Sequence, residues 1–133
     1  MSYRDVIDTL TGLVKDNLTY ASVVPFIDFL NEKAPAASIQ RLTGVRSVER
    51  YLDGSSAGEL PFAVLLRVPN KDSKTRLDAA DALADLVDAL EGYGGDGELE
   101  GVRGEDDPTK VDADPQTETW RVQLTATVFR SVE

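Results

Sequence analysis

The sequence predicts an α+β domain, a mostly antiparallel β-sheet with two α-helices packed on it in the order helix, strands, helix, strands. Three observations carry that expectation. Apolar residues recur at three- and four-residue spacing near the N-terminus and again over residues 77–90, which is the period of a half-buried helix. Between and after those stretches apolar and polar residues alternate as in a strand, most plainly from Trp120 to Val128. The 133 residues are enough for one modest core and too few for a second, so residues 1–133 are expected to form a single domain.

In the first helix Tyr3, Val6, Ile7, Leu10, Leu13, Val14 and Leu18 make the apolar stripe. Ser2 stands at the N-cap, and Asp5 three residues later suits both the reciprocal capping pattern and the positive end of the helix dipole. The helix should fade over Asn17 to Tyr20, because Thr19, Val23, Val24 and Pro25 favour extended backbone. Phe26 to Leu30 reads as a short strand. Ile39 to Asp53 is rich in β-compatible residues and is broken at Thr43-Gly44, where a turn or bulge is expected. Asp53-Gly54 tolerates positive φ and opens a hairpin loop running through Ser55, Ser56 and Gly58 into a strand that begins near Leu60. In that strand Phe62, Val64, Leu66 and Val68 share one face, while Ala63 and Leu65 make the other partly apolar, so both faces should be covered.

Pro69-Asn70 stops the strand, and Asp72 or Ser73 caps the second helix. Its buried stripe is read as Leu77, Ala80, Leu83, Ala84, Val87 and Leu90, with Leu86 at the margin, and Gly92 is expected as a left-handed C-terminal cap. From Gly92 to Asp107 six glycines and six acids leave only Leu99 and Val102 as aliphatic residues, which predicts a flexible acidic loop. Thr109 to Asp112 is a candidate short strand that turns through Ala113 to Gln116 into the last one. There Trp120, Val122, Leu124, Ala126 and Val128 face one way and Arg121, Gln123, Thr125 and Thr127 the other. The sequence shows no internal repeat.

Fourteen basic residues against twenty-four acidic ones give a net charge of −10, a surface that repels phosphate backbones. The longest apolar-looking window, Val23 to Leu30, contains Asp28 and is too short to span a bilayer, so no membrane association is expected. Arg4, Asp5, Asp8, Lys15 and Asp16 argue against a secretory leader. The expected location is a cytoplasm, or the outside as part of a larger particle. The chain has no cysteine and no histidine, which removes disulfides, thiolate metal sites, thiol nucleophiles and the commonest proton shuttle. No catalytic residue, metal site or cofactor is expected, and the protein is read as a non-enzyme.

Several motifs dissolve on inspection. Gly92 to Gly97 matches G-x-G-x-x-G, but a helix precedes it and a loop follows, whereas dinucleotide binding needs a preceding strand and a following helix N-terminus. Asp78, Asp81, Asp85 and Asp88 line one face of the second helix; a solvated face is the bland reading, a negative strip the sharper one. Asp112, Asp114, Gln116 and Glu118 suggest a calcium loop, yet Thr117 and Gln123 stand where the EF-hand requires glycine and glutamate. The serines lack a histidine to activate them, and no two carboxylates are placed across a cleft by spacing alone.

The run Arg50 to Ser55, then Glu59 to Arg67, then Asp72 with Arg76 to Ala79, resembles the tail terminator or minor capsid family of long-tailed bacteriophages, and Trp120 to Phe129 resembles the family's final strand. The resemblance implies a structural virion protein that forms a ring, commonly a homo-hexamer. Such a ring caps the tail tube, stops its polymerisation and joins it to the head-closure or neck proteins. The partners would be other copies of the chain, the tail tube protein and a neck protein, with DNA passing through the channel without specific binding. The location would be the tail–neck junction of the virion, and the host cytoplasm during assembly. Tyr51, Asp53, Gly54, Ser55 and Glu59 of the hairpin are the candidate interface, with the 92–107 loop a second contact element. Asp78, Asp81, Asp85 and Asp88 are candidate channel-facing acids. Rival readings are another head–tail connector, an acidic inhibitor that mimics DNA, and a carboxylate hydrolase.

Overall fold

A computed structural model of the chain describes residues 3–18, 25–27, 30, 35–41, 46–50, 56–69, 73–93, 99–113 and 115–130. Its elements are α1 (Tyr3–Asn17), β1 (Pro25–Ile27), β2 (Ala36–Arg41), β3 (Arg46–Arg50), β4 (Ser56–Pro69), α2 (Ser73–Glu91), β5 (Leu99–Gly104), β6 (Thr109–Ala113) and β7 (Thr117–Arg130). The result is the expected α+β architecture, two helices on one mostly antiparallel sheet.

The sheet is built around β4 and β7, which pair antiparallel along their whole length from Ser56 with Arg130 to Pro69 with Thr117. Each of these long strands carries a shorter pair on its outer side. Along β4, β2 pairs with the stretch 62–67 and β3 with 56–59; along β7, β5 pairs with 124–128 and β6 with 118–121. β1 adds to β2 in parallel, the one parallel pairing among the described strands.

One face of the sheet packs under both helices. Leu60, Phe62, Val64, Leu66 and Val68 of β4 join Val122, Leu124, Ala126 and Val128 of β7 in a single core. Onto it α1 sets Ile7, Leu10, Val14 and Leu18, spaced by three and four residues so that they form one stripe. Within α1, the Thr11 hydroxyl donates to the Ile7 carbonyl at 2.7 Å and the Asn17 amide to the Leu13 carbonyl at 2.8 Å, so both polar side chains are satisfied by their own helix. Each fully buried leucine in this core contributes roughly 1.5–3 kcal/mol from apolar transfer. The opposite face is also withdrawn from solvent at its middle, where Ser38 and Ala63 are fully buried and Leu65 nearly so. The apolar character of both faces of 60–68 is thus used.

Three sequence expectations change. The stripe of α2 is Ala79, Ala82, Leu83, Leu86 and Leu90, with Val87 beside it, whereas Leu77 is 64% exposed. Leu77 and Leu86 are nine residues apart, about 180° around a helix at 100° per residue, so they cannot share a buried face. Gly92 does not take the left-handed conformation; its N–H donates to the Asp88 carbonyl, and Tyr93 then donates to Leu90 in a tighter last turn. The stretch read as a loop from Gly92 to Asp107 contains a strand, β5, whose Leu99 and Val102 are core residues. A spacing of three should send these two side chains to opposite faces. A register shift between Leu99 and Gly101 sets Leu99 opposite Val128 and Val102 opposite Ala126, both core positions, so the bulge turns both inward. Smaller differences are at boundaries: β2 starts at Ala36 rather than near Ile39, β4 at Ser56 rather than near Leu60, and the first short strand is Pro25–Ile27. The break expected at Thr43-Gly44 lies outside the described residues.

A fourth change concerns repetition. The chain runs helix, broken strand, long strand, twice over: α1 with β2, β3 and β4, then α2 with β5, β6 and β7. The start of β5 follows that of β2 by 63 residues, and the start of β6 follows that of β3 by the same interval (36 to 99, 46 to 109). Both second pieces are bulged at the equivalent place, between Ser47 and Glu49 and between Lys110 and Asp112, and the extra residue is a valine each time, Val48 and Val111. Because β4 and β7 are antiparallel neighbours, β4, α2 and β5 form a split β-α-β unit with β7 inserted between two parallel strands.

Candidate functional site

The candidate site is a surface rather than a cleft, and its polar side chains cluster where β5 leaves the sheet beside α2. β5 comes close to the helix because position 104 has no side chain. A Cβ on Gly104 would meet Val87 Cγ1 at 2.7 Å, a distance real contacts do not reach. The Gly104 N–H instead donates to Glu91 Oε2 at 3.1 Å, tying the end of α2 to the strand. Past β5 the chain stays in register with β7 for one more bond, from the Glu105 N–H to the Gln123 carbonyl at 2.8 Å. The Gln123 N–H then finds Asp106 Oδ1 at 2.8 Å, a side chain standing in for the missing strand partner.

This arrangement leaves an open groove of about 420 Å³ between α2 and the 104–108 segment, with Asp88, Glu91, Glu105, Asp106 and Asp107 among its walls. The acids line it without converging: among the described residues no group of three or more Asp, Glu, His or Cys is placed to hold a metal ion. Two of the carboxylates are already committed to backbone N–H groups. A third, Glu105, accepts from Arg103 Nε at 2.7 Å.

Arg103 is the hub on the face away from the helices. It also reaches across β7 to Glu59 Oε2 on β4 at 3.0 Å, so one guanidinium ties the β5 segment to β4. The hydrogen bond from Arg103, and then one from Thr125, hold the Glu105 carboxyl below its ordinary value, and the same carboxylates raise Arg103. Arg103 is half exposed, so the linkage orders the sheet surface more than it stabilises the fold. At the other end of β7, Glu118 is buried on the helix side, with Lys110 Nζ 3.8 Å from one oxygen and Trp120 Nε1 donating to the other at 3.4 Å. No helix among the described residues is long and apolar enough to cross a membrane.

Of the residues singled out from sequence, Tyr51, Asp53, Gly54 and Ser55 lie outside the described residues. Glu59 is placed on β4 and engaged by Arg103 rather than standing in a loop. Asp78, Asp81, Asp85 and Asp88 are all exposed along α2, and only Asp88 reaches the groove. Sequence reasoning missed Arg103, Glu105, Asp106 and Glu91 as a linked set. Glu59 and Arg103 are 44 positions apart, and nothing in periodicity joins them. Compared with models of protein families and with curated proteins, the chain matches none.

Proposed function

We propose that this chain is a structural subunit of a bacteriophage tail, a tail terminator that assembles into a ring, probes no substrate and works through its surfaces. What carries the reading is that a single sheet ends, among the described residues, in open strand edges on both sides: β3 pairs only with β4, and β5 and β6 pair only with β7. An unpaired edge is a template for another strand, and a subunit with two of them can be joined on both sides. The resemblance supports the same reading: two of the stretches that carry it, Glu59 to Arg67 and Trp120 to Phe129, lie in the paired central strands β4 and β7. In such a ring the subunit would cap the tail tube on one side and receive a head-closure or neck protein on the other. The exposed aspartates of α2, if they line the channel, would repel DNA and let it pass without binding.

Electron microscopy of tails assembled with and without the protein tests this directly. Tubes that overrun their normal length without it support termination; tubes of normal length that fail to join heads would move the assignment to another neck component. The acidic row raises one rival, a DNA mimic, but the row is short. Asp78 to Asp88 spans only about 15 Å at 1.5 Å per residue, whereas proteins that hold duplex DNA through its backbone engage about 6–10 phosphates. Capture of a basic nuclease or polymerase by the purified chain, abolished when the four aspartates become asparagine, would favour mimicry over assembly.

A further inference from the structure

The two flanks of the sheet carry opposite charge. On the β2–β3 side Arg41, Arg46 and Arg50 stand against Glu49, a net of +2. On the β5–β6 side, over residues 99–113, five acids stand against Arg103 and Lys110, a net of −3. Strand direction adds a second asymmetry. β3 runs opposite to β4, β4 opposite to β7 and β7 opposite to β5, so the two edges run in opposite senses. They also overlap in level: β3 pairs with Ser56 to Glu59 of β4, that stretch pairs with Arg130 to Thr127 of β7, and β5 begins opposite Val128 and Thr127, so the two edges share the level of Gly58 and Glu59.

We propose that β5 of one copy docks on β3 of the next, so that the antiparallel sheet continues head to tail from subunit to subunit. Placed side by side in the same orientation, the β5 edge of one copy and the β3 edge of its neighbour are antiparallel, and every strand keeps the alternation of the sheet. A two-fold pairing of β5 with β5 would also be antiparallel but would set the acidic flank against itself, and β3 with β3 would set the basic flank against itself. Like charges brought together across an interface are strongly disfavoured, so charge selects the head-to-tail contact. That contact is heterologous, the type that closes into a ring when the rotation between copies allows it. The bulge at Val48 limits the pairing on β3 to a short run, which makes the charged flanks rather than the backbone the source of selectivity. The inference deepens the ring reading above by naming its contact, but it stands on the edges and their charge and does not require a tail tube.

Its test uses the full chain, with mass measured by sedimentation or native mass spectrometry at low and high salt. The wild-type protein is expected to form multiples of its 14.4 kDa mass at low salt and to dissociate as salt rises. R46E/R50E and E100K/D107K, each checked for an unchanged circular dichroism spectrum, should each lower the association constant by at least about a hundredfold. Mixed in equal amounts they should assemble again, in strict alternation, because each supplies the edge the other has lost; a chain carrying all four changes should assemble with itself. A strict monomer at every salt concentration overturns the inference, as does a variant that associates like the wild type, or a mixture that stays dissociated. If R46E/R50E keeps a dimer that E100K/D107K abolishes, the contact is two-fold through β5 and the head-to-tail arrangement is wrong. Assembly that follows the charge pattern while tails form normally without the protein would leave this contact standing and remove the terminator reading.

Discussion

The two halves of the molecule, α1 with β2 to β4 and α2 with β5 to β7, share a skeleton and differ in what they spend it on. Both place a broken strand beside a long one and bulge it at a valine, Val48 in one and Val111 in the other. Yet β4 is apolar on both faces at its centre, while β7 alternates cleanly between core and polar residues. One flank is basic and the other acidic. The strand ladder and the core periodicity are what the halves have in common, and side chains outside that pattern differ. Two similar units have thereby produced a domain with a direction.

The shared centre is the place where a change should cost most. Phe62 of β4 is fully buried and sits opposite Leu124 of β7, so Phe62→Ala should lower stability by about 3–5 kcal/mol in denaturant unfolding. The combined change with Leu124→Ala should depart from the sum of the single effects, because the two share one cavity. Next comes the element that separates a strand from a loop in the second half. Leu99→Ala should cost about 2–5 kcal/mol, as for any core leucine; a loss below about 0.5 kcal/mol, the range of a surface position, would return 99–104 to a loop and dissolve the repeat.

A smaller effect belongs to the approach of α2. Gly104→Ala should cost about 1–3 kcal/mol through overpacking on Val87, and Val87→Ala in the same chain should recover part of it. Gly101→Ala meets nothing within 4 Å and should be close to neutral. The smallest effect is electrostatic. Glu105 has a depressed value in the folded chain, so its contribution is present above the ordinary glutamate value of about 4.3 and fades as pH falls through the depressed one. Being exposed, it should amount to no more than about 1 kcal/mol. Melting temperatures of wild type and Glu105→Gln should therefore differ at pH 7 and converge in acid; a difference that grows as pH falls would contradict the linkage.

Much of this was legible in the sequence, and the failures have physical causes. α1, β4 and β7 are long enough for periodicity to fix both type and face, and Pro69-Asn70 marks the end of β4 as expected. The face of α2 was misread because its ten apolar positions from Leu77 to Leu90 include five alanines, which suit several overlapping stripes. The exposed aspartates at 78, 81, 85 and 88 were the better guide, since they mark the side turned away from the core. β5 was missed because an edge strand is held by backbone hydrogen bonds, which composition does not report, and because its bulge breaks the alternation that would have revealed it. The repeat was invisible because it lives in element order and register, with little beyond the paired valines left in the residues. The Arg103 linkage depends on strands adjacent only after folding, so no local pattern announces it.

The central ladder has a consequence for how the chain is made. β4 emerges before β7, its partner along its full length, and the first residue of β4 waits for Arg130. At translation speeds that interval lasts seconds. During it a strand apolar on both sides has native neighbours along one edge only, β2 and β3, and the nascent polypeptide leaves its other edge open until β7 arrives.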